Sequence, residues 1–200
     1  MNIGVIFAGG VGSRMHSKDR PKQFLDIYNK PIIVHTIEHF QNSEDIDSIV
    51  VVCIEGWIDY MNQLVYQYRL NKVKKIVPGG KTGQLSIYNG LIAAQEIARD
   101  EENIVLIHDG VRPLINEELI KRNIQDVKDY GSSITSGIVK ETIVEIYDNN
   151  DIKLVPDRAH SRVAKAPQCF WLKDILSAHK KAMNEQSFNF IDSCSMMKYY

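Results

Sequence analysis

The chain has 200 residues, enough for one full domain with its own core or two cramped ones. Its hydrophobic share of 44% and charged share of 24% are ordinary for a globular protein. Lys+Arg 24 against Asp+Glu 25 leaves a net charge of -1, which argues against bulk attraction to nucleic acid or an anionic membrane, though a local basic pocket fits. No apolar run approaches the roughly 18 residues that span a bilayer. The stretch from Met1 to Phe7 lacks a basic leader and a small-residue cleavage site, so no signal peptide is expected. Three widely spaced cysteines, Cys53, Cys169 and Cys194, suit neither a disulfide framework nor a zinc cluster and point to a reducing cytoplasm.

Residues 3–8 form a short, almost wholly apolar run that ends in glycines, the pattern of a strand buried on both faces. The same signature recurs at 46–54, 73–77, 103–107 and 133–139. Helical patterns lie between and after these runs. One starts at Pro31, with proline in its first turn. Others cover 57–68, 84–99, 117–127 and 172–183. This alternation predicts an α/β fold: a single Rossmann-like domain, residues 1–200, with a mostly parallel central sheet flanked by helices. No repeat, low-complexity tract or linker divides it.

The stretch 140–165 breaks the alternation. β-branched residues at 142–146 lead into a polar turn, Asp148-Asn149-Asn150-Asp151, and a second extended piece follows at 152–155. That is a hairpin signal, and it predicts a protruding arm suited to subunit contacts.

Directly after the first run comes Ala8-Gly9-Gly10-Val11-Gly12-Ser13-Arg14-Met15, followed by Arg20-Pro21-Lys22-Gln23. Ligands of open α/β sheets sit beyond the carboxyl ends of the strands, so this loop is a binding candidate by position. Its glycines permit close backbone approach, and successive N–H groups can face an anion. The dinucleotide fingerprint fails, because Met15 stands where a third glycine or alanine belongs. Arg14 and Lys22 supply two cations within nine positions, more than a pyrophosphate needs and fitting for a triphosphate. Two other patterns are set aside. Gly80-Lys81-Thr82 resembles the tail of a phosphate-binding P-loop, but the earlier glycine is Lys75. His35, Glu38 and His39 have the spacing of a zinc-protease helix without a third ligand in view.

Several motifs together carry a more specific resemblance. They are Ala8-Gly9-Gly10-x-Gly12-x-Arg14-Met15, Pro21-Lys22-Gln23-Phe24-Leu25, Lys30-Pro31-Ile32-Ile33-x-His35-Thr36, Gly79-Gly80 with Ser86, and His108-Asp109-Gly110-Val111-Arg112-Pro113, with Thr142, Arg158 and Pro167-Gln168. In this order the chain resembles the sugar-alcohol-phosphate cytidylyltransferases, a family that includes methylerythritol-phosphate and ribitol-5-phosphate enzymes. Val111-Arg112-Pro113, 141–145, Pro156-x-Arg158-Ala159-His160, Asp192-x-Cys194 and Trp57 resemble the ribitol-phosphate branch more closely.

The resemblance implies transfer of CMP from CTP to D-ribitol 5-phosphate, with 2-C-methyl-D-erythritol 4-phosphate as the alternative acceptor and an inactive nucleotide-binding protein as a further one. Nucleotidyl transfer asks an enzyme to position and neutralise two crowded anions and needs no strong base, because the acceptor monoester is already ionised. Arg14 is then expected at the leaving β/γ-phosphates and Lys22 at the α-phosphate. Mg²⁺ would bridge the phosphates, with Asp109 as its protein ligand. The resemblance places base and ribose against Ala8, Gly9, Gly80, Lys81, Ser86, Asp109 and Gly110, beside Gly10 and Gly12 of the loop. It gives Arg112, Thr142 and Arg158 to the alditol phosphate. It also implies a homodimer, since the family's arm reaches the neighbouring subunit. Relatives carry an acidic residue and an arginine in the stretch 80–86 that are absent here, and their chains continue to a further strand and helix beyond the position of Tyr200.

Overall fold

A computed structural model describes residues 1–9, 20–99 and 102–200. The chain runs β1 (Asn2–Ala8), β2 (Asp26–Ile27), β3 (Lys30–Pro31), α1 (Ile32–Asn42), β4 (Ser48–Cys53), α2 (Ile58–Gln67), β5 (Val73–Pro78) and α3 (Gly83–Ile97). It continues through β6 (Ile104–Asp109), α4 (Glu117–Tyr130), β7 (Ser132–Ile138), β8 (Glu145–Ile146), β9 (Ile152–Leu154), β10 (Arg162–Trp171), α5 (Leu172–Asn184) and α6 (Ser193–Tyr199). Six strands make one sheet in the order β5-β4-β1-β6-β10-β7. β1 lies parallel to β4 on one side and to β6 on the other, with Val5 opposite Val50 and Ile107.

The apolar runs read as strands because both sheet faces are covered. Along β1, Ile6 and Ala8 enter one core with Ile33, Phe40 and Met61 of α1 and α2 and Ile120 of α4. Ile3 and Val5 enter the other, against Ile87 and Leu91 of α3 and Ile175 of α5. The period-2 alternation thus divides a continuous apolar run between two layers of helices. Gly90 lets α3 come close to the sheet: a Cβ there would meet methyls of Val5 and Val52 at 2.7 Å. No helix among the described residues is long and apolar enough to cross a membrane. All three cysteines are free, and burial pushes the Cys53 thiol up to about 11.

Two departures from expectation have physical reasons. The sequence pattern predicts no strand over 162–171, yet β10 sits between β6 and β7 and is antiparallel to both. Its first half is exposed and its second half buried, so no period-2 pattern runs through it, and Pro167 argues against a central strand. The proline is tolerated because it falls where the β10–β7 register shifts, between Ala164 and Gln168. The arm does form, but its pairing is narrower than the sequence suggests. Only Glu145–Ile146 and Ile152–Leu154 pair, leaving Thr142, Ile143 and Val144 outside the ladder. A further small hairpin, β2–β3, turns at Tyr28 and Asn29, whose φ values of 51° and 59° are left-handed.

His179 on α5 is an oddity of the second core. It is 1% exposed, its ring lies 5.6 Å from that of Tyr88, and neither ring nitrogen has a hydrogen-bond partner among the described residues. Burial pushes its pKa down to about 4 from an ordinary 6.5. The unfolded chain therefore takes a proton at a pH where the folded chain does not, and stability falls as pH drops from 6.5 toward 4. Urea titrations are expected to show a midpoint that declines from about pH 7 to about pH 5. In His179→Leu that decline shrinks.

Candidate active site

The carboxyl ends of β1, β4, β5 and β6 open on one edge of the sheet, and the site is built there. Three glycines crowd around Ser86 at the start of α3. A Cβ on Gly9 would lie 3.4 Å from Ser86 Oγ, and one on Gly79 would lie 3.2 Å from it. Gly80 has no room at all, since its Cβ would lie 2.5 Å from that of Leu85. Ser86 Oγ accepts from the Gly80 N–H at 3.0 Å and donates to the Thr82 carbonyl at 2.9 Å. Thr82 caps α3 by accepting from the Leu85 N–H at 3.2 Å. The result is a floor of bare backbone that suits a flat ring. Lys81 stands exposed at its rim.

The backbone that carries Lys22 is anchored through the two residues that follow it. Gln23, 1% exposed, donates from Nε2 to the Ala8 carbonyl at 2.6 Å. Phe24 stacks on Trp57 with ring centroids 5.0 Å apart and meets Tyr60 edge-on at 5.3 Å. The short turn Lys22–Phe24 is thereby anchored at the end of β1, and Lys22, half-buried, sits one residue from that anchor.

On the other side, the turn after β6 is tied down at several points. Gly110 N–H donates to the Phe7 carbonyl at 3.0 Å, and Thr36 of α1 donates from Oγ1 to the Gly110 carbonyl at 3.0 Å. His108 Nε2 lies 3.0 Å from the Arg112 carbonyl and so carries the proton it donates. Burial lowers the pKa of His108, which fits a neutral ring. Arg112 Nε pairs with Asp109 Oδ2.

Asp109 and Arg112 line a cleft of about 220 Å³ together with Lys165, Gln168 and Asp192, over an apolar floor that includes Phe7 and Ile107. Gln168 bridges the cleft wall to α6, donating to Asp192 Oδ2 at 3.0 Å and accepting from the Cys194 N–H at 2.9 Å. Burial works to raise the pKa of Asp192, but hydrogen bonds from Ser195 and Gln168 outweigh it and hold the carboxyl below its ordinary value.

The structure brings Ala8, Gly9, Gly80, Lys81, Ser86, Asp109, Gly110 and Arg112 to one edge, as the sequence suggests. Gly10, Gly12 and Arg14 lie outside the described residues. Thr142 and Arg158 are not at the cleft. Both are exposed, and Arg158 donates to the Lys140 carbonyl at 3.0 Å within its own arm. Sequence reasoning gave no role to Gln23, Gln168, Asp192 or Lys165, although the first three stand in motifs that carried the resemblance.

Of the two carboxylates described in the cleft, Asp109 is the one placed to meet a divalent cation, since Asp192 is taken up by Ser195 and Gln168. Among the described residues no group of three or more His, Cys, Asp or Glu side chains could hold a metal ion. A single carboxylate fits Mg²⁺, which takes its remaining oxygens from phosphates and water. In α1, Glu38 is held by Lys30 at 2.7 Å and His35 lies 2.9 Å from the Ile27 carbonyl, so the zinc-like spacing serves local structure.

The tight and open glycines offer a paired test. Gly80→Ala must displace backbone and is expected to lose about 1–3 kcal/mol. Gly83→Ala, with nothing within 4 Å of the new methyl, is expected to be neutral or stabilising by up to about 1 kcal/mol. Chemical denaturation of the two variants checks both.

Residues 3–200 match the family described as IspD, 2-C-methyl-D-erythritol 4-phosphate cytidylyltransferase. Over its whole length the chain is 57% identical to the ribitol-5-phosphate cytidylyltransferase of Streptococcus agalactiae serotype V, covering 83% of that protein. It is 52% identical over its whole length to a protein of the same name from Vibrio parahaemolyticus, covering 84% of it. A 2-C-methyl-D-erythritol 4-phosphate cytidylyltransferase of Clostridium botulinum is 41% identical over 181 residues, 90% of this chain and 76% of that one. Among solved structures, 4-diphosphocytidyl-2C-methyl-D-erythritol synthase from Anaerococcus prevotii shares the fold, with a TM-score of 0.84 at 24% identity over 100% of this chain and 83% of the other. With a glycine floor, an anchored lysine and an Asp–Arg turn on one sheet edge, and identity sustained from end to end, the chain belongs to the IspD family of cytidylyltransferases.

Proposed function

We propose that this protein transfers CMP from CTP to D-ribitol 5-phosphate, giving CDP-ribitol and pyrophosphate. The observation that carries this reading is a gap in identity. The chain is 57% and 52% identical over its full length to two ribitol-5-phosphate cytidylyltransferases, against 41% over 181 residues to a methylerythritol-phosphate one.

In the reaction a phosphate oxygen of the acceptor attacks the α-phosphorus of CTP. The new P–O bond forms as the bond to the β-phosphate bridging oxygen breaks, and that oxygen leaves with the electron pair on pyrophosphate. The acceptor monoester is ionised near neutral pH, so no residue need remove a proton. The protein's work is alignment and charge neutralisation. The floor of Gly9, Gly79 and Gly80 around Ser86 receives the cytidine, with Gly110 on the facing turn, and backbone edges select the base. Lys22 meets the α-phosphate, where charge builds, and Arg14 meets the leaving phosphates. Asp109 would hold a Mg²⁺ ion, which when bound would supply further neutralisation of the triphosphate charge. Arg112 exchanges Asp109 for the acceptor phosphate.

The arm supports a homodimer. Ile143, Val144, Ile146, Ile152, Leu154 and Val155 are all at least 40% exposed and adjoin one another in the 142–155 stretch. A second copy would cover them and bring Thr142 and Arg158 to its own cleft. The three free thiols suit a reducing cytoplasm.

Pyrophosphate release from CTP is expected with ribitol 5-phosphate and weak or absent with 2-C-methyl-D-erythritol 4-phosphate; the reverse preference would overturn the reading. Lys22→Ala should cut turnover by about 10²-fold or more with folding intact. Sedimentation should give twice the chain mass, and a chain-mass species at micromolar concentration would refute the dimer.

A further inference from the structure

We propose that Lys165 is an acceptor-binding residue, supplying from the same subunit the second cation that receives the phosphate of ribitol 5-phosphate beside Arg112. This rests on the ribitol-phosphate reading above.

The placement follows from β10. Against β7, Ala164 pairs with Ser136 and Gln168 with Ile134, so four steps on β10 match two on its neighbour. Lys165, Ala166 and Pro167 therefore bulge from the ladder. Gln168 fixes the far side of the bulge through its pairing with Ile107 and its bonds to Asp192 and Cys194. Lys165 then lines the same cleft as Asp109 and Arg112. Its stem crosses β7 at Gly137, where a Cβ would come within 3.0 Å of Cε and 3.3 Å of Nζ.

Charge and position both favour the acceptor. A phosphomonoester carries roughly -1.5 to -2 at neutral pH, and within one subunit Arg112 alone leaves part of that uncompensated, since Arg158 reaches the cleft only from a second copy. Of the cleft's carboxylates, Asp109 pairs with Arg112 until the phosphate displaces it, and Asp192 is held by Ser195 and Gln168. Lys165 has no ion-pair partner among the described residues. β6 lies between β1 and β10, so the Lys165 backbone stands two strand spacings, roughly 10 Å, from β1, whose end carries Gly9. That is the far side of the site from the base. A compact ammonium beside a guanidinium fork gives the phosphate one point contact and one bidentate contact.

The test compares Lys165→Met, Lys165→Arg and Gly137→Val with the wild type. In Lys165→Met the KM for ribitol 5-phosphate is expected to rise about tenfold or more while the KM for CTP stays within about twofold. Lys165→Arg recovers part of the loss. Gly137→Val acts by displacing the lysine, so it raises the same KM and adds little in the double variant. Independently of turnover, acetylation of Lys165 by an amine-reactive reagent, followed by mass spectrometry, should slow in the presence of ribitol 5-phosphate and not of ribitol. An unchanged acceptor KM in Lys165→Met, or acetylation that ribitol 5-phosphate does not slow, overturns the assignment. Failure of the wild type to release pyrophosphate with ribitol 5-phosphate, while that sugar phosphate still protects Lys165, overturns the functional reading instead.

Discussion

Parallel strands all finish on the same edge of their sheet, and at that edge the last peptide groups lose their ladder partners. Here the end of β1 is closed by side chains and turns from elsewhere in the chain. The Ala8 carbonyl takes the amide of Gln23, and the Phe7 carbonyl takes the Gly110 N–H. Each bond satisfies a polar group and also delivers a functional residue, Lys22 in the first case and the Asp109–Arg112 turn in the second. Completing the hydrogen bonding of one buried strand therefore assembles much of the site.

The charged residues of that edge differ in how they are held. Asp192 is locked by the cap of α6 and by Gln168, so it serves as architecture. Asp109 and Arg112 hold each other at a position where either can be exchanged for a ligand of opposite charge, Arg112 being the more exposed of the two. A pair of this kind keeps both groups aimed without burying either, which costs less than storing lone charges in a cleft.

Much of the fold is legible because apolar residues on both faces mark β1, β4 and β6, whereas β5, at the sheet edge with Lys74 and Lys75, is only partly covered. The glycine floor is legible only through the resemblance, because the local pattern at Gly80-Lys81-Thr82 matches no phosphate loop and the meeting of Gly9, Gly79 and Gly80 around Ser86 is made by the sheet. β10 escapes because its solvent-facing half, its proline and its register shift each erase periodicity, and pairing with β6 and β7 replaces what local pattern lacks. Gln168 stands in a motif, but its work is done with Asp192, 24 residues away, and no spacing rule reaches that far. Lys165 reads as the last residue of an arm until the strand places it in the cleft. The arm's own side chains, by contrast, look functional in sequence and lie apart from the cleft in a single chain.

The continuity of arm and cleft wall along β10 sets different tolerances to insertion. Around the turn 148–151, extra residues lengthen a loop whose ends are already near each other, at small entropic cost. Between Arg162 and Gln168 the chain is anchored at one end by the ladder to β6. There a single added residue would turn alternate side chains to the opposite face. Natural variation in length should therefore collect at the hairpin tip and stop abruptly a few residues short of Gln168.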